Sequence, residues 1–183
     1  MENLKTKLEN FDPASEEDLK VKFNELAEAF LYGGFISVKD NKGCEWYRIY
    51  LRTVEFYCHY EGCQLALPKD PIVYHRNNRY IDGIVPYFPL MAFHAHASGI
   101  DITFEKNDIE LRSSALIRAY EVYDVQRKRF LTYDKNTKRF IVCQDDKKRV
   151  NHQSTYLYDF INGFIRNSVE WKDSIRTKSK NFN

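Results

Sequence analysis

A helical pattern of apolar residues opens the patterned part of the chain. Ser15, followed three residues later by Asp18, resembles a capping box in which Asp replaces the usual Glu or Gln. Apolar side chains then recur at helical spacing, at Leu19, Phe23, Leu26, Ala27 and Phe30. This spacing predicts a helix from about Glu16 to Leu31, ended by two glycines. Residues 1 to 14 lack such a pattern, and we expect a loose lead-in there.

Alternating patterns predict strands through the middle of the chain. "FISVKDNKGCEWYRIYLRTVEFYCHY" predicts two strands joined by a turn at residues 40 to 43. "LMAFHAHASGIDITFEKN" predicts two strands broken at Ser98-Gly99, "SSALIRAYEVYDV" one strand, and "RFLTYDKNTKRFIVCQ" a hairpin. Strict alternation puts Glu55 on the same face as Ile49 and Leu51. We therefore expect the Glu55 carboxylate to be buried in apolar and aromatic surroundings.

The remaining segments complete an α+β pattern. Residues 61 to 89 contain four prolines and predict a loop longer than a connector requires. "STYLYDFINGFIRNSVEWKDS" has helical periodicity and predicts a closing helix, and residues 176 to 183 a polar tail. With no repeat and no linker, we expect a single compact domain over residues 15 to 175. Its fold would be a mostly antiparallel curved sheet flanked by helices.

The composition narrows the class of protein. Hydrophobic residues make up 43% and aromatic residues 15% of the 183, enough for a sizeable core. No apolar run approaches the roughly 20 residues that span a bilayer, and the first residues are too polar for a signal peptide. We therefore expect a cytoplasmic protein with no membrane partner and with reduced cysteines. Cys58, His59 and Cys63 lack the spacing of a zinc knuckle, so no metal site is expected.

The charge is unevenly distributed along the chain. The net charge of +2 is too small to demand a nucleic-acid partner. Residues 127 to 149, however, contain nine Lys or Arg and three Asp. On composition alone, a solvated hairpin is the preferred interpretation of this segment. The other interpretation is a surface that faces phosphates.

Several segments, in a fixed order, carry a family resemblance. They are "LAEAFLYGGFISVKDNKGCEWYRIYLRTVEFYCHYEG", with Val54-Glu55-Phe56-Tyr57 near its end, then "DPIVYH" at 70 to 75 and "ALIRAYEV" at 115 to 122. Over roughly residues 19 to 125, the chain resembles the alkyladenine (3-methyladenine) DNA glycosylase family. The resemblance implies a compact domain that hydrolyses the N-glycosidic bond of a flipped, alkylated purine in double-stranded DNA. It also implies no metal and no redox cofactor.

The resemblance assigns roles to individual residues. Glu55 matches the acid that activates the attacking water, and Arg118 matches a basic residue near that water and the DNA backbone. Tyr57 and His75 match the residues that sandwich and hydrogen-bond the extruded base.

The chain also departs from the family pattern. "FHAHASGIDI" stands where the family has a wedging tyrosine and an asparagine that rejects guanine. His94 or Phe93 then falls near the wedge, and Asp101 at the asparagine position. We take His94 and Asp101 as substrate-binding candidates. A basic loop of the family is missing unless residues 76 to 79 are its remnant, and on that reading Arg76 and Arg79 are candidates for DNA binding.

Hydrolysis of an N-glycosidic bond by water needs one carboxylate beside the anomeric carbon. Such a group accepts the proton of the attacking water and stabilises an oxocarbenium-like transition state. General base catalysis of this kind contributes about 10²–10⁴-fold. Three alternatives stay open. Glu55 is a structural ion-pair partner of Arg118 or Arg52, the protein binds nucleic acid or another ligand without catalysis, or it hydrolyses free nucleosides or small glycosides. The sequence does not indicate an oligomeric state.

Overall fold

The computed structural model describes residues 3–11, 14–58, 91, 93–96, 99–103, 113–152, 156–157, 159–160 and 169–174. The helices in this part of the chain are α1 (Leu4–Glu9), α2 (Glu16–Tyr32) and a 3₁₀ turn, η1 (Asp146–Lys148), and residues 156–157 and 159–160 are also helical. The strands are β1 (Gly34–Lys39), β2 (Glu45–Cys58), β3 (Phe93–His96), β4 (Gly99–Thr103), β5 (Ser113–Asp124), β6 (Arg129–Asp134), β7 (Arg139–Val142), β8 (Asn151–His152) and β9 (Val169–Asp173).

The nine strands of the described residues form one open, curved, antiparallel sheet. Its main path runs in the order β3-β4-β5-β2-β1-β9. One edge of β5 pairs with β2 along its length, and the other edge pairs in succession with β4, β8 and β6. Strand β7 pairs with β6. The α+β class and the antiparallel sheet expected from the sequence are confirmed.

Helix α2 begins where the capping pattern predicts. The Ser15 hydroxyl accepts the N–H of Asp18 at 3.1 Å, and the Asp18 carboxylate accepts the N–H of Ala14 at 2.8 Å. The first bond satisfies a donor that an open helix end leaves without a partner, and the second ties the residue before the cap to the first turn of the helix. Leu19, Leu26 and Phe30 point from the helix into the core and are buried.

The helices cover one face of the sheet, which we call the core face. The Phe23 ring of α2 stacks on Phe56 of β2 with centroids 4.7 Å apart. Phe30 meets Trp171 of β9 edge-on at 5.8 Å. The opposite face, called the outer face below, carries on β2 and β5 the side chains of Arg48, Tyr50, Glu121 and Tyr123, which alternate with buried core residues.

The loose lead-in expected at the N-terminus is wrong for residues 4 to 9. Leu4 and Leu8 lie one helical turn apart and are both buried in the main core. The Asn3 side chain accepts the N–H of Thr6 at 2.8 Å and caps this short helix. Two leucines at i and i+4 are a weak pattern, so burial against α2 explains α1 better than sequence periodicity does.

The prediction of a closing helix is wrong at the C-terminal end of that segment. Residues 156–157 and 159–160 are helical, but Val169–Asp173 is a strand that pairs with β1. In this strand Val169 and Trp171 pack against the core, while Glu170 is exposed. That alternation has a period of two, so the helical spacing of Val169 from upstream apolar residues is accidental.

The predicted turns are confirmed. The Asp40 carboxylate accepts the N–H groups of Lys42 and Cys44 at 2.8 and 2.9 Å between β1 and β2. Gly43 there has φ 82°, a left-handed conformation that favours glycine. Strands β6 and β7 form the second predicted hairpin, and β3 and β4 are separate strands as expected.

Some predictions fall outside the described residues. They include the loop at residues 61 to 89, most of the closing helix between residues 161 and 168, and the tail at residues 176 to 183. The domain limits at residues 15 and 175 stay predictions. No helix in the described part of the chain has the length and apolar character needed to cross a bilayer.

Candidate functional site

A β-bulge in β2 decides which way Glu55 points. The pairing of β2 with β5 shifts between Leu51 and Thr53, and again between Thr53 and Val54. Leu51 is buried in the core before the shift, and Val54 packs against the core after it. The pairing skips Arg52 on β2 and Arg118 on β5, so the alternation of core-facing and outward-facing side chains reverses on both strands. Glu55 consequently lies on the outer face, and its expected burial among apolar and aromatic residues is wrong.

The Glu55 carboxylate is partly open to solvent and ion-paired. Its side chain is 44% exposed, and that of its partner Arg118 on β5 is 46% exposed. The Arg118 Nε–H donates to Glu55 Oε2. Two residues that sequence reasoning placed in one site thus touch across two adjacent strands. The arrangement leaves room for water while it fixes the orientation of the carboxylate.

Asp101 and His94 share a register row with Glu55. Glu55 lies opposite Leu116 on β5, Leu116 lies opposite Asp101 on β4, and Asp101 lies opposite His94 on β3. Adjacent strands are about 4.8 Å apart, so the Asp101 backbone lies roughly 10 Å from that of Glu55. The sheet therefore brings both acids to one end of the outer face.

Buried polar residues surround this row. Asp101 and Leu116 are closed to solvent, as are Ser114 and Thr103 in the next row of the same face. Tyr57 lies opposite Ser114, two positions along β2 from Glu55. The end of the outer face therefore combines a half-exposed carboxylate at Glu55 with buried neighbours, of which Leu116 is apolar and Asp101, Ser114 and Thr103 are polar.

Other candidates cannot be placed by the structure. His75, Arg76 and Arg79 lie outside the described residues, as do the side chains of Tyr57 and His94. For these residues the structure gives at most the backbone register of the two strand positions.

Sequence reasoning missed an electrostatic cluster in the middle of the outer face. The Glu121 side chain is only 2% exposed and lies between two arginines. Arg52 Nη2 is 2.7 Å from Glu121 Oε2, and the Arg149 Nε–H donates to Glu121 Oε1. The Arg149 guanidinium also lies 4.6 Å from the centre of the Phe130 ring. An acidic residue in the middle of a strong strand was the available signal for this cluster, as it was for Glu55.

The cluster settles the partner of Arg52. Arg52 was one of two arginines considered as a structural partner of Glu55, and the structure pairs it with Glu121 instead. Because Glu121 is buried and Glu55 is half-exposed, the two acids have different electrostatic surroundings on the same face. Glu121 is enclosed and neutralised, whereas Glu55 keeps contact with water.

The described residues offer no preassembled metal site. No group of three or more His, Cys, Asp or Glu side chains among them comes together in a way that could hold a metal ion. Cys44 and Cys143 are free thiols.

Comparison with known proteins gives no match: no family model, no curated protein and no solved structure resembles the chain closely enough to count. The likeness to the alkyladenine DNA glycosylases therefore depends on the short segments quoted above.

Proposed function

We propose that this protein is a glycosylase-like N-glycosyl hydrolase that removes a flipped, alkylated purine from double-stranded DNA. The single observation that carries the proposal is the Glu55 carboxylate, half-exposed and held by Arg118. Glu121, by comparison, is enclosed between two arginines. Glu55 instead faces solvent on the strand where the family resemblance places its water-activating acid.

In the proposed reaction, water attacks the anomeric carbon of the extruded nucleotide. Glu55 accepts a proton from that water as the new C–O bond forms, and the glycosidic C–N bond breaks to release the base. Arg118 orients the carboxylate through its Nε–H. The negative charge of Glu55 also stabilises the positive charge that develops on the sugar in the transition state.

The surroundings of Glu55 suit an extruded base. Extrusion costs a few kcal/mol of lost stacking and pairing, part of which aromatic side chains restore at about 1–3 kcal/mol per stacked base. The resemblance assigns that stacking to Tyr57 and His75. The resemblance aligns Asp101 with the residue that reads the base; it is buried on the same register row as Glu55, and His94 lies opposite it.

A positively charged, alkylated purine fits this set of residues. Aromatic faces attract cations, and a carboxylate near the edge of the base adds to that attraction. An alkylated purine is also a better leaving group than an unmodified one because its positive charge is neutralised as the bond breaks. These two effects favour a damaged base over a normal one.

The test compares Glu55→Gln with Glu170→Gln on a duplex that contains one alkylated purine. Glu170 is a matched control because it is also a strand glutamate, half-exposed and ion-paired, in this case to Lys39. We expect Glu55→Gln to bind the duplex but to release the base about 10²–10⁴-fold more slowly. Glu170→Gln should release it at the wild-type rate. Equal rates for both variants would remove Glu55 from the mechanism.

A second candidate function is binding of nucleic acid or another ligand without catalysis. The observation that favours it is the Glu55–Arg118 ion pair itself, since the pair gives the carboxylate a structural partner without any reaction. Wild-type protein that binds the damaged duplex, but never releases a base from it, would establish this alternative.

A further inference from the structure

The β6–β7 hairpin and the following turn, residues 128–148, carry an unusual set of cations. Lys128 and Arg129 lie at the start of β6, and Lys135, Lys138 and Arg139 at the distal turn, all exposed. Lys147 and Lys148 are exposed on η1. Within the described residues, none of these seven side chains lies within 4.0 Å of a carboxylate oxygen, the distance that defines the other ion pairs.

The contrast with the rest of the described surface is clear. Most lysines and arginines elsewhere in it have a carboxylate partner, as Lys22 has Asp18 and Lys39 has Glu170. The same holds at the two borders of the segment, where Arg127 pairs with Asp124 and Arg149 with Glu121. The hairpin is therefore where positive charge is left uncompensated.

Two of the three acids inside the segment, Asp134 and Asp145, are engaged in turns, and the third, Asp146, is exposed on η1. The Asp134 carboxylate accepts the N–H of Asn136 at 3.0 Å and the hydroxyl of Thr137 at 2.7 Å. The Asp145 carboxylate accepts the N–H of Lys147 at 3.0 Å and caps η1. These bonds shape the backbone that presents the cations and hold both carboxylates away from the basic side chains.

The cations are spread along the hairpin. Strand β6 has six residues, so its ends are about 17 Å apart at roughly 3.3 Å per residue. The η1 lysines lie alongside its middle, because the Thr132 hydroxyl donates to the carbonyl oxygen of Lys148 at 2.8 Å. In DNA each strand carries one phosphate per about 3.4 Å of helix axis, so this length faces about five base pairs.

We propose that the 128–148 hairpin is the surface that holds the phosphate backbone of double-stranded DNA. The inference rests on the proposed function for its choice of DNA as partner, and it assigns the contact to a segment that composition alone favours as plain solvated surface. Strand β5 connects Glu55 with the hairpin, since Leu116 of β5 pairs with Glu55 and Val122 of β5 pairs with Leu131 of β6. Six strand residues span about 20 Å, so the hairpin would meet the duplex roughly six base pairs from the extruded base.

The test compares two triple variants that change the charge equally. The first is Lys135→Gln, Lys147→Gln and Lys148→Gln in the hairpin. The matched control is Lys5→Gln, Lys20→Gln and Lys42→Gln, three exposed lysines on α1, α2 and the β1–β2 turn. Both triple variants lower the net charge by three. Thermal unfolding followed by circular dichroism is used to check that each variant folds. Affinity for an undamaged duplex is measured by fluorescence anisotropy over a series of salt concentrations.

We expect the hairpin triple to bind more weakly and to flatten the slope of log affinity against log salt by about one per lysine removed. The control triple should keep the wild-type slope. Equal effects of the two triples would overturn the proposal, because net charge rather than the hairpin would then govern binding. Wild-type protein that binds anionic phosphatidylserine vesicles but shows no salt-dependent affinity for DNA would also overturn it.

The outcomes separate this surface from the chemistry at Glu55. If the two triples differ as expected, while the wild-type protein releases no base, the proposed reaction fails and the surface stands. If base release depends on Glu55 but the triples behave alike, the surface fails and the reaction stands.

Discussion

Replacing Glu121 by Gln should strongly destabilise the protein, whereas the same change at Glu55 should not. The Glu121 side chain is 2% exposed, and Arg52 and Arg149 are 20% and 21% exposed. Losing the carboxylate leaves two guanidinium groups largely out of water with no negative charge between them. Removing one partner of a buried ion pair costs about 3–5 kcal/mol. Because both arginines keep some contact with water, we expect a loss at the lower end, about 3 kcal/mol.

The Glu55–Arg118 pair provides the internal comparison. With both side chains nearly half-exposed, its contribution to the free energy of unfolding should be about 0–1 kcal/mol. The assay is urea unfolding followed by the fluorescence of Trp46 and Trp171, with the slope m compared between variants. A loss for Glu55→Gln as large as that for Glu121→Gln would refute the distinction between an enclosed structural acid and an accessible one. It would equally be refuted if Glu121→Gln left stability unchanged.

Two further expectations concern the fold. Gly34→Ala should destabilise the β1–β9 pairing by about 1–3 kcal/mol. The added Cβ would lie 2.3 Å from the Lys172 carbonyl oxygen and 2.7 Å from the Trp171 ring. An unchanged midpoint of urea unfolding would contradict the close packing of these strands. Burial, with smaller contributions from Tyr133 and Tyr156, raises the pKa of Tyr120 above its ordinary 10.0. The folded protein then holds this proton more tightly than the unfolded chain, so the stabilisation is complete below pH 10 and declines as the pH rises above it. Unfolding measured from pH 8 upward should show a shallower alkaline loss for Tyr120→Phe than for the wild-type protein, and identical profiles would contradict the effect.

Local patterns were sufficient for most of the fold. Helix α2, both hairpins and β5 each combine strong periodicity with a cap or a turn residue, so local and tertiary preferences agree. At residues 169 to 173 the local pattern predicted the wrong structure, a helix instead of a strand. Val169 and Trp171 form a strand because β1 offers an edge to pair with, and that edge is set by the sheet as a whole. The short α1 likewise depends on burial of Leu4 and Leu8 against distant residues.

The candidate site around Glu55 was harder to predict from local sequence patterns than the fold. Sequence reasoning brought Glu55 and Arg118 together correctly, but it put Glu55 on the wrong face of the sheet. The alternation reverses where the pairing skips one residue on β2 and one on β5, and nothing in the sequence around Arg52 and Thr53 marks this irregularity. The buried role of Glu121 was equally hidden, because Arg149 comes from a segment 28 residues further along the chain.

The most direct test of the central claim is single-turnover base release from an alkylated duplex by wild-type protein and by Glu55→Gln, with binding of the duplex measured in parallel. We expect the wild-type protein to release the base, and Glu55→Gln to bind equally well but to release it at least about 100-fold more slowly. Release by Glu55→Gln at the wild-type rate would contradict the assignment of this carboxylate as the group that activates water.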